Sequence, residues 1–333
     1  MQACRVASSI IFASILAGCS GMRFVIDAVP SQDQLTESVV MEDTGGLGAI
    51  GKAKIAQIDV TGLIADADKP GLLSPGENPL SRFIESLNRA AKDNSVKAVI
   101  LRINSPGGTV NASDVMYREV KHFRQTTGKP VVVSMGDVAA SGGYYLACAG
   151  DEIIASPTTI TGSIGVIIQT INVAEGLGKI GVRMEALTSG PNKKMGTPFE
   201  TMSPEHRKLL QGLVDEFYAN FKSIVVENRK TVSPNDLEWI TDGRVVTGKR
   251  AVEVGLADQV GDLRDAFEIA KRRADVKSAR LVKYHRSTEY VGSPYAASPA
   301  VSPQVNLMQL NIAAGSGLNE QPGFYYLWDP AVW

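Results

Sequence analysis

Histidine and cysteine are scarce in this 333-residue chain, three of each, and their placement rules out several chemistries. His122, His206 and His285 are scattered and have no motif around them. Cys4 and Cys19 lie near the N-terminus, which leaves Cys148 alone in the body of the chain. Neither a disulfide framework nor a metal-ligand spacing can be built from that set, so no metal or other cofactor is expected. Charge of one sign is lacking too. Lys and Arg number 34 against 35 Asp and Glu, a net charge of −1. Such a balance gives no electrostatic footprint for nucleic acid, which is excluded as a main partner. What is abundant is apolar residues, 44% of the chain, enough for a substantial core.

The N-terminus reads as a processing signal rather than as fold. Arg5 supplies a positive start, and Val6 to Ala17 form an apolar stretch too short to be a permanent membrane span. It ends in Leu16-Ala17-Gly18-Cys19, which resembles the bacterial lipobox. That resemblance implies cleavage before Cys19, acylation of its sulfur and amine, and stable anchoring in the bacterial cell envelope outside the cytoplasm. An ordinary secretory signal in which Cys19 has no role is the alternative.

The resulting division is a leader over 1–18, a tether over 19–50, a folded domain over 51–288 and an extended tail over 289–333. Residues 20–50 are polar, with Gly45, Gly46 and Gly48 and no sustained period. Lys54 to Val60 alternates as a strand does. Phe83, Ile84, Leu87, Ala90 and Ala91 recur at helical spacing. Val96 to Ile103 and Pro130 to Met135 read as buried parallel strands, with a helix over roughly Ser113 to Thr126 between them. A longer helix is expected from Ser203 as N-cap and Pro204 as first residue, with Leu210, Leu213, Val214, Phe217, Phe221 and Ile224 on its apolar face. The alternation predicts an α/β fold of βαβ units around a largely parallel sheet. The tail after residue 290 is rich in Ser, Pro, Ala and Gly.

Two glycine-rich breaks follow two of the predicted strands, where parallel sheets gather catalytic groups. One reads Asn104-Ser105-Pro106-Gly107-Gly108, the other Gly136-Asp137-Val138-Ala139-Ala140-Ser141-Gly142-Gly143. A serine at a strand-to-helix turn among small residues presents its Oγ beside free backbone N–H groups, here that of Gly142, which can stabilise an oxyanion. Gly107 or Gly108 offers the second donor, since a side chain there would block a substrate carbonyl. A plain tight turn is the bland reading of either glycine pair alone. Cys148 reads as a packing residue, and Tyr144 and Tyr145 as packing for the helix after Ser141.

Ile103 to Gly108, Met135 to Tyr145 and Thr161-Gly162-Ser163-Ile164-Gly165-Val166 together resemble the signal peptide peptidase A family. So do Asp242-Gly243-Arg244-Val245, Thr247-Gly248 with Ala251, and Gly255-Leu256-Ala257-Asp258. The resemblance covers about residues 53–275 and matches the short, one-module form. It implies a Clp-protease/crotonase-like fold and a serine endopeptidase working through an acyl-enzyme. No histidine lies between Ser141 and Glu205, which excludes a Clp-type Ser-His-Asp triad. The family uses a lysine base, and Ser189-Gly190-Pro191-Asn192-Lys193, followed by Pro198-Phe199, matches its lysine segment, with Lys194 in reserve. A lysine is a base only when neutral, which takes desolvation and the lack of a carboxylate partner. Ser163 matches the family's third hydroxyl, which orients the lysine amine. Implied partners are peptide or protein substrates at the membrane, such as signal-peptide remnants, and further copies of the chain in a ring. The competing readings are a crotonase-type acyl-CoA enzyme, disfavoured by the exported N-terminus, and a scaffold that keeps the fold without activity.

Overall fold

The central strands are apolar on both faces, and the structure, a computed structural model, shows why: each is covered by helices above and below. It describes residues 34–43, 53–68, 77–286, 289, 291–296 and 323–328. The strands are β1 (Thr36–Glu42), β2 (Lys54–Thr61), β3 (Val96–Ser105), β4 (Gly107–Thr109), β5 (Val131–Ala140), β6 (Glu152–Ala155), β7 (Ile160–Gly162), β8 (Val245–Thr247), β9 (Gln259–Val260), β10 (Arg280–His285) and β11 (Tyr325–Leu327). The helices are α1 (Pro79–Lys92), α2 (Val110–Thr127), α3 (Gly142–Ala147), α4 (Ala174–Lys179), α5 (Pro204–Asn228), α6 (Pro234–Ile240), α7 (Gly248–Glu253) and α8 (Leu263–Arg273).

The main sheet runs β1-β10-β2-β3-β5-β6-β9, with β7 branching from β5 and β8 lying beyond β7. Every pairing from β10 through to β9 is parallel, as is β5 with β7, while β1–β10 and β7–β8 are antiparallel. This is the largely parallel α/β architecture expected, and it is consistent with the Clp-protease-like fold. Along β3, Val99, Leu101 and Ile103 face α1 and α2, while Ala98 and Ile100 face α8. Period-two alternation is thus hidden inside an unbroken apolar run.

The sequence signals for helix ends hold. Asn78 caps α1 by accepting from the Ser81 N–H at 3.1 Å, ahead of Pro79. Ser203 caps α5 by accepting from the His206 N–H at 3.1 Å, ahead of Pro204. α2 ends at Gly128, whose φ of 67° is the left-handed conformation that glycine adopts without strain. On α5, only Leu210 and Phe221 of the expected apolar face are fully buried, together with Val225.

Two expectations about the ends need amending. Residues 36–42, inside the expected tether, form β1, because β10 offers an open edge there. Residues 325–327, inside the expected tail, form β11 against β4. The leader and Cys19, with residues 20–33 and 44–50 of the tether and residues 290, 297–322 and 329–333 of the tail, lie outside the described residues. Among the described residues no helix is long and apolar enough to cross a membrane.

Candidate active site

The site is built where β5 changes partner. Up to Met135 it pairs with Ala155 of β6, and from Val138 it pairs with β7. Against β3 the register slips, from Ile103↔Met135 to Ser105↔Ala139, so β5 carries two extra residues. Asn104 closes this bulge by accepting from the Val138 N–H at 3.1 Å, and Thr159 donates to the Gly136 carbonyl at 2.7 Å. The bulge bends β5 so that its last residue, Ala140, pairs with Gly162 at the end of β7.

One residue beyond that pair, both strands carry a serine with positive φ: Ser141 at 51° and Ser163 at 50°. Positive φ is costly for a residue with a Cβ, of order 1–3 kcal/mol, so the fold over-determines both turns. The Ser141 N–H donates to the Gly162 carbonyl at 2.8 Å, and the Ser163 N–H to the Arg244 carbonyl at 2.7 Å. Ser141 is 1% exposed and its Oγ, enclosed by the fold, has no hydrogen-bond partner among the described residues. A buried hydroxyl left unpaired costs free energy and invites a functional reading.

Glycine backbones close in on this turn. Ser105 Oγ donates to the Gly62 carbonyl at 2.6 Å and accepts from the Gly107 N–H at 3.0 Å, fixing the loop after β3. β4 is bridged to Ile64, whose N–H donates to the Gly107 carbonyl at 2.8 Å while its carbonyl accepts from Thr109 at 2.9 Å. A methyl group on Gly108 would stand 1.8 Å from the Ile64 carbonyl oxygen. On Gly107 it would stand 2.7 Å from the Gly142 nitrogen, and on Gly142 3.1 Å from the Gly108 nitrogen. Only glycines allow these backbones to meet, and the result is two N–H groups side by side next to Ser141.

The neighbours expected to be inert behave so. Cys148 is buried, and burial pushes its thiol up to about 12. Tyr144 donates to the Leu256 carbonyl at 2.9 Å, and Tyr145 donates to Asp114 at 2.8 Å. Burial raises both phenols above the usual tyrosine range. His206 contacts the Pro191 carbonyl, and His285 lies on β10 beside Thr36 and Ser38.

The lysine segment is elsewhere in character. Lys193 and Lys194 end a short 3-10 turn, Pro191–Lys194. Lys194 pairs with Glu200 at 2.5 Å. Lys193 is exposed and makes no side-chain hydrogen bond or ion pair among the described residues. The fold therefore brings together Ser141, Ser163, Gly107, Gly108 and Gly142, but not a lysine, around one point.

Residues 123–277 match the profile of peptidase family S49. A protein of Enterococcus faecium, provisionally named signal peptide peptidase SppA, is 34% identical over 249 residues, which is 75% of this chain and 72% of that one. The chain belongs to peptidase family S49. Protease 4 of Salmonella typhi is 37% identical over 73% of this chain, and the chloroplastic serine protease SPPA of Arabidopsis thaliana is 37% identical over 78%. This S49 chain spans 37% and 38% of the length of those two, so it is similar to one part of each. A solved membrane-bound stomatin-specific protease shares 18% identity at a TM-score of 0.42, covering 66% of this chain and 85% of its own, and the assignment does not rest on it.

Two features of the site were not anticipated. The parallel register that sets Ser141 beside Ser163 is long-range and leaves no local trace. The second is β11, whose signal was present: Phe324, Tyr325, Tyr326 and Trp328 put four aromatics within five residues of a tail otherwise rich in Ser, Pro, Ala and Gly.

Proposed function

We propose that this S49 peptidase is a serine endopeptidase of the bacterial envelope, acting on signal-peptide remnants or other membrane-associated peptides through Ser141 and Lys193. One observation carries the reading: a buried, unpartnered serine hydroxyl on a strained strand-to-helix turn, beside two glycine N–H groups. Ser141 Oγ adds to the peptide carbonyl and passes its proton to the Lys193 amine. The Gly108 and Gly142 N–H groups hold the oxyanion, with Gly107 shaping the notch. The leaving amine takes the proton from the lysine, and water then hydrolyses the ester by the same route. Ser163, one register step from Ser141, orients the amine.

Lys193 reaches the serine of a neighbouring copy in a ring-shaped homo-oligomer. In support, the single chain leaves Ser141 Oγ unpartnered and the arm bearing Lys193 in water. That arm exposes Ile171 and Ile180 at 73% and Leu187 at 97%, an apolar surface suited to a heterologous interface with another copy. Burial in such an interface would remove the water that keeps a lysine charged. Lys194, tied to Glu200, is the poorer base. Cys19 carries the lipid that holds the assembly at the membrane.

A fluorophosphonate probe tests the nucleophile. It should label the wild type and not Ser141→Ala, and peptide hydrolysis should vanish with the label. Ser141→Ala and Lys193→Ala chains, each inactive, should regain activity when mixed under conditions of subunit exchange. Hydrolysis by pure Ser141→Ala protein would overturn the nucleophile. Failure of verified mixed oligomers to recover activity would place both groups in one chain. Radiolabelled palmitate should enter the wild type and not Cys19→Ser.

A further inference from the structure

The turn that carries Ser163 is held from outside, by the loop between α6 and β8. β7 and β8 pair antiparallel, with Gly162 opposite Val245. One residue before Val245, the Arg244 carbonyl accepts the Ser163 N–H at 2.7 Å. The two loops also touch, since a methyl group on Gly165 would stand 3.5 Å from the Gly243 Cα. Ser163 needs such a hold, because its φ of 50° is a conformation that a residue with a Cβ leaves once support is withdrawn. The carbonyl that supports it is useful only if it is itself fixed.

Arg244 is fixed by its own side chain. Asp242 accepts from the Arg244 N–H at 3.0 Å and from its Nε at 2.8 and 3.0 Å, and a terminal guanidinium nitrogen completes the fork at 2.5 Å. Gly243 between them, at a φ of 90°, makes the turn that lets one carboxylate meet both backbone and side chain. The guanidinium lies over the Trp239 ring, 4.2 Å from its centre, and Arg250 approaches the same ring at 5.3 Å. Trp239 packs against the core from the last turn of α6. The Tyr218 hydroxyl donates to the Thr241 carbonyl at 2.6 Å, fastening the end of that helix to α5. The side chains of Asp242 and Arg244 are 43% and 37% exposed, so their pairing adds little to stability. So many hydrogen bonds within three surface residues are better explained by the carbonyl they immobilise.

We propose that Arg244 is a positioning residue of the peptidase: it fixes its own carbonyl oxygen, and through it the direction from which the Ser163 hydroxyl meets the lysine amine. The inference rests on the reading of Ser141 as nucleophile and of Ser163 as the group that orients the base. Arg244 makes no contact with substrate in this scheme. Its guanidinium is engaged by Asp242 and Trp239, and its effect reaches the reaction through one backbone hydrogen bond. With the fork removed, β8 still pairs with β7, but the carbonyl drifts and Ser163 relaxes toward an ordinary φ. The amine is then no longer aimed at Ser141 Oγ, and proton transfer slows. The Gly108 and Gly142 N–H groups, on other strands and turns, stay where they were.

The test compares kcat and KM of the full chain and its variants on a quenched fluorogenic peptide, chosen from a library by wild-type cleavage. Arg244→Ala should lower kcat by about 10-fold, with KM unchanged and the urea midpoint nearly so. Arg244→Lys, which keeps the charge but not the planar fork, should be no better. Asp242→Asn still accepts from the Arg244 N–H and should keep most of the activity that Asp242→Ala loses. If Arg244→Ala does not fold, Asp242→Ala, which frees the same guanidinium, carries the comparison. Ser163→Ala should be slow as well, and adding Arg244→Ala to it should cost nothing further, since both act through one hydroxyl. Losses that multiply in the double variant overturn the route through Ser163 and leave the nucleophile standing. A raised KM at unchanged kcat would make Arg244 a substrate contact and also overturns it, as does full activity in Arg244→Lys. Full activity in Ser163→Ala removes the group through which Arg244 acts and overturns the inference, while probe labelling at Ser141 persists. Hydrolysis by Ser141→Ala overturns the reading beneath it.

Discussion

The rim around Ser141 and the arm around Lys193 are built by opposite means. The rim is dry: Ser105, Ser113 and Thr161 are fully buried, their hydroxyls are bonded to backbone carbonyls, and three glycine backbones touch. The arm over residues 167–202 has no core of its own, and Leu187 stands 97% exposed on it. A hydrophobic core can hold a nucleophile and its oxyanion donors to within a fraction of an ångström, because packed interiors deform little. It cannot hold a group on a segment that does not pack into it. On the proposed reading, the second half of the site is held by another copy of the same chain.

Changes to each region should therefore fail differently. The largest effect is expected from Gly108→Ala, whose methyl would stand 1.8 Å from the Ile64 carbonyl oxygen. Displacing β4 removes a donor from the notch, and peptide hydrolysis should fall by about 10²–10³-fold. Urea unfolding should show a loss of about 1–3 kcal/mol from overpacking. Full activity in Gly108→Ala would show that the rim is not rigid.

Next comes Asp258→Ala, behind the rim. Asp258 accepts from Arg229 at 3.0 and 2.9 Å and from the Ile153 N–H at 2.7 Å, tying the end of α5 to β6. Arg229, 7% exposed, would lose its counter-charge, and unfolding should show a loss of about 3–5 kcal/mol. Leu187→Asp, on the arm, should change stability by less than about 0.5 kcal/mol. Sedimentation should nevertheless show smaller assemblies, and activity should fall with them. An unchanged oligomer with unchanged activity would break the contrast.

The smallest effect concerns Cys148. With its thiol near 12, the thiolate that alkylating agents need is scarce at pH 8, and the group is also shielded. Iodoacetamide should leave Cys148 unmodified in the native protein and label it fully in urea, as peptide mapping would show. Labelling of Cys148 in the native protein at a free-thiol rate would mean that the interior behind α3 opens readily.

These contrasts also explain what could be read without coordinates. β3 and β5 were legible because strands covered on both faces are apolar runs, and α1 and α5 because their caps are local. Ser141 was legible for the same reason, since strand, turn and glycines are contiguous. β1 was not, because Thr36-Glu37-Ser38-Val39-Val40 buries little on its own and becomes a strand only by joining β10. The nearness of Ser163 to Ser141 depends on a register between strands some twenty residues apart, and came only through the family resemblance. The place of Lys193 rests on the same resemblance, because nothing in the domain's packing specifies it.

The position of β10 between β1 and β2 sets an order on folding. β1 has no other strand to pair with among the described residues, so residues 36–42 must wait for residues 280–285. Contacts this distant in sequence form late, after the loop they close has been ordered. The rim is similarly scattered, drawing on residues near 62, 105, 141, 163 and 244. The notch is therefore complete only once nearly the whole sheet is in place, and peptidase activity is withheld until then. The first described strand in sequence is the last to find its place.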